Sequence, residues 1–111
     1  MDEPQDKIQK LALLMKQDWD RRVKHDYRFW MSDSYNDDAA MWASGERDFL
    51  LMCGDLTGTQ EQTFLEIGCG VGRILKAAAA RFQRAIGLDV SAEAIAKAKG
   101  LLSGEPAAEL L

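Results

Sequence analysis

Between Thr63 and Leu75 the chain reads TFLEIGCGVGRIL, which places Gly68, Gly70 and Gly72 within five positions, just after the carboxylate of Glu66. A second acid, Asp89, closes the apolar run RAIGLDV (84–90) and is followed by Ser91. Glycines at a turn between a strand and a helix allow positive φ and let a ligand approach the backbone closely. The N–H groups that open the following helix then face that ligand. The plain alternative is a tight turn that binds nothing; three alternating glycines behind an acid disfavour it. Asp89 likewise has a plain alternative, as a cap for the helix that begins near Ser91. Cys69 has no basic neighbour to lower its pKa and reads as small filler rather than a nucleophile.

The spacing discriminates between ligand classes. A G-x-G-x-x-G dinucleotide fingerprint counted from Gly68 and Gly70 needs glycine or alanine at position 73, where Arg73 stands. No Gly-Lys-Ser/Thr follows, so a phosphate loop is excluded as well. A nicotinamide or flavin dinucleotide unit is therefore the poorer fit.

The elements that must position these residues follow from periodicity. From Gln5 to about Tyr27, Ile8, Leu11, Leu14 or Met15, Trp19 and Val23 recur at helical spacing, predicting an amphipathic helix. Ser32 to Asp38 breaks the pattern as a loop, and a second helix runs from Ala39 or Ser44 to Cys53 with Phe49, Leu50 and Cys53 or Met52 inward. Trp19, Tyr27, Trp30 and Trp42 read as core anchors of this segment. Beyond residue 56 come short strands at 63–67 and 84–89, helices at 72–82 and 91–102, and the start of a third strand at 107–111. Ser91 is the expected N-cap of the later helix, and Glu93 and its C-terminal lysines suit the helix dipole. Strand, helix, strand, helix is the order of a parallel βαβ unit, hence an α/β fold.

At this point Glu66-Ile67-Gly68-Cys69-Gly70-Val71-Gly72-Arg73 resembles the E/D-x-G-x-G-x-G motif of class I S-adenosylmethionine-dependent methyltransferases. Gly87-Leu88-Asp89-Val90-Ser91 resembles that family's second motif, and the two together cover about residues 63–99. The segment before them resembles, more loosely, the helical cap found in many small methyltransferases. The resemblance implies a partial Rossmann-like parallel sheet (βαβα) preceded by an N-terminal helical segment: a cap over 1–56 and the N-terminal half of the domain over 57–111. It implies S-adenosylmethionine or S-adenosylhomocysteine as ligand. Gly68, Cys69 and Gly70 would lie against its methionine and ribose portions, and Gly72 would start the following helix. Asp89 would accept from the ribose hydroxyls and Val90 would touch the adenine. Glu66 would order the loop or meet the ligand's ammonium group, and Tyr27, Trp42 or the Ser44–Gly45 pair is a candidate lid. No catalytic residue and no methyl acceptor are implied by these motifs.

Composition agrees with a small single domain: 111 residues, 47% apolar and 29% charged, with a net charge of −4. No basic patch suggests nucleic acid, no apolar run suggests a membrane span, and two cysteines without a CxxC argue against zinc or a disulfide framework. The acidic N-terminus does not resemble a secretory signal, so a cytoplasmic location is expected. Because the resembled fold is larger, the expectation is a truncated chain, inactive by itself, that self-associates through an open sheet edge, most simply as a dimer. The alternative is a short non-catalytic α/β module with a structural or oligomerising role.

Overall fold

The computed structural model describes residues 3–26 and 38–111. The order is α1 (Glu3–Asp26), α2 (Asp38–Cys53), β1 (Thr63–Ile67), α3 (Leu75–Ala79), β2 (Arg84–Leu88), α4 (Ala92–Leu101) and β3 (Ala108–Leu110). The three strands form one sheet in the order β1-β2-β3. Both pairings are parallel, with Thr63 opposite Arg84, Ile67 opposite Leu88 and Ala85 opposite Ala108. The α/β architecture expected from the motif order is the one observed.

Alternation along β1 sets the two faces of the sheet. Phe64 looks toward the helices, where its ring lies 6.0 Å from Phe49 of α2 and 5.3 Å from Phe82. These rings gather with Leu75, Ala77, Ala78, Ala79 and Ala85 into the core. The alanine run of α3 is what allows a helix to lie so close to the strands. On the opposite face Leu65 and Ile67 are 55% and 80% exposed.

Several expected details differ. The helix placed over 72–82 is regular only over Leu75–Ala79. Gly72 has φ 96, which a right-handed helix cannot hold, although its carbonyl already accepts from Lys76 N. At the other end Arg81 N bonds to Ala78 O, three residues back, tightening the last turn. In α2, Phe49 is buried as expected, but Leu50 and Met52 are exposed. In α1, Ile8, Leu11, Leu14 and Met15 are exposed, and contact with the rest of the fold is made with α4. Trp19, expected as a core anchor, is 37% exposed. The loop over 32–37, Tyr27 and Trp30 fall outside the described residues. No helix among the described residues is long and apolar enough to cross a membrane.

Candidate functional site

Where β1 and β2 end at their carboxyl edges, the chain folds back on itself through the glycine loop. Gly68, Gly70 and Gly72 all have positive φ (79, 57 and 96). A Cβ added at Gly68 would meet no atom within 4 Å, so this backbone presents bare surface to open space.

The loop's amides point inward. Gly68 N and Cys69 N both donate to Leu88 O, at 2.7 and 3.0 Å, and Gly72 N donates to Cys69 O. Gly70 N donates to Asp89 Oδ2 at 2.8 Å, while Ser91 N donates to Asp89 Oδ1 at 2.9 Å. Asp89 thus ties the two βα turns together, and each oxygen keeps acceptor capacity for a further donor. Ser91 is the N-cap of α4, its Oγ accepting from Ala94 N at 3.0 Å, so the cap role considered for Asp89 belongs to its neighbour.

A cleft of about 670 Å³ opens over this loop. Of the residues singled out in the sequence, Glu66, Gly68, Cys69, Gly70, Asp89 and Val90 line it. Gly72 is not among them; it is buried against Leu102, whose Cδ1 would stand 2.3 Å from an added Cβ. Val90 is 59% exposed at the rim.

Two buried polar atoms at the site lack a hydrogen-bond partner among the described residues, Glu66 Oε1 and Arg73 Nε. Burial lifts the Glu66 carboxyl to about pH 7, opposed by the positive charge of Arg73 and reinforced by Asp89. Arg73 is committed elsewhere through Nη1, which donates to Asp48 at 2.7 Å and to Ser44 Oγ at 3.1 Å. Burial likewise pushes the Cys69 thiol up to about 12, as befits packing filler, with Asp89 and Glu66 adding to the shift.

Ser44 and Gly45 brace the loop from behind rather than closing over it. Gly45 lies so close to Arg73 that an added Cβ would stand 2.1 Å from its carbonyl oxygen. Trp42 is engaged by Lys76, whose Nζ lies 4.6 Å from the ring centroid, and borders a separate depression. The outer wall of the cleft comes instead from Trp19 and Val23 of α1. Their helical spacing read as a core stripe.

An open parallel sheet with a glycine loop and an acid at the carboxyl ends of adjacent strands defines a Rossmann-like ligand-binding unit. Residues 64–110 match the family described as "Methyltransferase domain". Twelve solved chains match the structure. One is magnesium protoporphyrin IX methyltransferase from Synechocystis PCC 6803 with bound SAH, at TM-score 0.65 and 13% identity, covering 90% of this chain and 50% of that one. Another is phosphoethanolamine N-methyltransferase 1 from Haemonchus contortus in complex with phosphoethanolamine and S-adenosylhomocysteine, at TM-score 0.53 and 15% identity, covering 86% of this chain and 22% of that one. No curated protein matches. The family match thus covers fewer than half of the 111 residues, and the likeness to the two solved structures is one of fold. The chain spans at most half the length of these two neighbours.

Proposed function

We propose that this chain is the S-adenosylmethionine-binding part of a methyltransferase, with Glu66, Gly68, Cys69, Gly70, Asp89 and Val90 forming the ligand surface and Gly72 supporting it from below. One observation carries this reading: the glycine loop spends its amides within the fold while Glu66 and Asp89 bring two carboxylates to the cleft, beside the partnerless Arg73 Nε. Four loop amides are spent within the fold, on Leu88 O, Asp89 and Cys69 O. Glu66 Oε1 is left unpaired, and Asp89 retains lone pairs. A pyrophosphate needs the reverse, free N–H groups at a helix start. A ligand carrying ammonium and sulfonium charge and a ribose diol fits two carboxylates. Such a donor supplies an activated methyl group, and the part played by this chain is to bind and orient it.

Titration calorimetry with S-adenosylmethionine, S-adenosylhomocysteine and NAD tests this. The first two should bind in preference to NAD; the opposite order overturns the assignment. Asp89→Ala should weaken binding by roughly 1.5–3 kcal/mol, the scale for hydrogen bonds to a charged acceptor.

The domain division follows the same logic: 1–56 serves as helical cap and 57–111 as the N-terminal half of the cofactor domain. The proposal assigns these residues neither a methyl acceptor nor a catalytic base, and this chain by itself should show no turnover. Self-association is part of the proposal. In the β1-β2-β3 order β1 is an edge strand, and its Leu65 and Ile67 lie on an uncovered face. The cytoplasm, with its reducing poise, suits the free thiols Cys53 and Cys69.

A further inference from the structure

We propose that Asp20 is a positioning residue that latches α1 across the cleft, making Trp19 and Val23 a working wall of the ligand site. In its ligand arm this inference rests on the cofactor assignment above; in its mechanical arm it does not. Ser91 Oγ donates to Asp20 Oδ1 at 2.6 Å, and Glu93 N donates to the same oxygen at 3.1 Å. Asp20 therefore satisfies one of the open amides of α4 from a helix 73 residues earlier in the chain, alongside the cap that Ser91 itself provides. A carboxylate at this place also meets the positive end of the α4 dipole.

The latch is set by its surroundings. Lys16 Nζ lies 2.8 Å from Asp20 Oδ2, one turn back on α1, leaving Oδ1 to face α4. Across the contact Lys24 Nζ lies 3.3 Å from Glu93 Oε1, an outer ion pair that flanks the latch. Ser91 is 1% exposed, so its hydroxyl has little water to turn to if Asp20 is lost.

The consequence for the site is geometric. Trp19 precedes the latch by one residue and Val23 follows it by three, and both line the cleft whose floor is Glu66, Gly68 and Asp89. Ser91 also donates its amide to Asp89, so one residue joins the floor to the latch. With the rest of α1 largely exposed, this contact decides whether the wall stands over the cleft or swings away.

Amide hydrogen exchange by mass spectrometry on the full chain, with S-adenosylhomocysteine affinity measured in parallel, tests the latch. In Asp20→Ala, exchange should accelerate over residues 16–24 and at the Glu93 amide, with the β1–β3 amides unchanged. Affinity should fall about tenfold, the scale of a lost cap. Asp20→Asn, which keeps an Oδ1 acceptor, should restore most of both. Trp19→Ala should weaken the ligand while α1 exchange stays slow, which a purely structural α1 would not do. Unchanged α1 exchange in Asp20→Ala overturns the latch. Loosened α1 with unchanged affinity, or unchanged affinity in Trp19→Ala, overturns the wall. If the wild-type chain takes no S-adenosylhomocysteine, the cofactor assignment falls and the exchange arm still decides the latch.

Discussion

Glu66 is the residue in which fold and ligand pull in opposite directions. Its carboxyl is lifted to about pH 7 because burial penalises the charged form more than Arg73 relieves it. A carboxyl whose folded pKa is raised binds a proton that the unfolded chain has released, so stability falls as pH rises from about 4.5 to 7 and then levels. Glu66→Gln should abolish that slope, making the variant more stable than wild type at pH 8 by roughly 1–3 kcal/mol and similar to it near pH 4. Urea unfolding across that range measures it. A cationic ligand favours the carboxylate, so in the wild type S-adenosylmethionine should bind more tightly as pH rises toward 7 and should release a proton on binding below that pH. Glu66→Gln should show neither effect in calorimetry run in two buffers of different ionisation heat.

At the scale of elements, α2 seats the glycine loop by an approach that only glycine permits. Arg73 reaches across to Ser44 and Asp48, and Gly45 takes the weight of its backbone. Arg81 makes a second tie from the end of α3 to Glu46 on the same helix. In an ordinary helix Gly→Ala gains about 1 kcal/mol. Gly45→Ala should instead cost roughly 1–3 kcal/mol, because the contact must open by more than side-chain adjustment allows. Gly100, in α4 with nothing within 4 Å of an added Cβ, is the control, and Gly100→Ala should stabilise by about 0.5–1 kcal/mol. Chemical denaturation of both variants gives the comparison, and equal shifts would mean that α2 does not seat the loop.

For the whole molecule, three parallel strands leave β1 on an edge with Leu65 and Ile67 open to solvent on the face away from the core. Apolar edges and faces of this kind associate. Light scattering over a range of concentrations should show mass rising above 12.4 kDa. Leu65→Lys with Ile67→Lys should return it to the monomer without loss of helix content. A wild-type chain that stays monomeric at the highest concentration would mean that this face needs no partner.

Much of this molecule is legible in its sequence because the relevant physics is local. The glycine spacing after a short apolar run announces a turn that needs positive φ, and all three glycines adopt it. Ser91 caps α4 through its own next turn, and the Asp89 carboxylate finds an amide only two residues on. The α/β alternation follows from short apolar runs that alternate with helical periodicity, and the parallel order from the helix that stands between successive strands. Tertiary structure alone decided where α1 goes, since its apolar stripe predicted burial that most of it does not have, and the polar Asp20 makes the contact that matters. It also decided that the loop's amides turn inward to Leu88 and Asp89 rather than toward the cleft. Such pairings span 19 to 73 residues. A hydroxyl or a carboxylate bonds equally well to any donor in reach, and only the packed chain determines which donor that is.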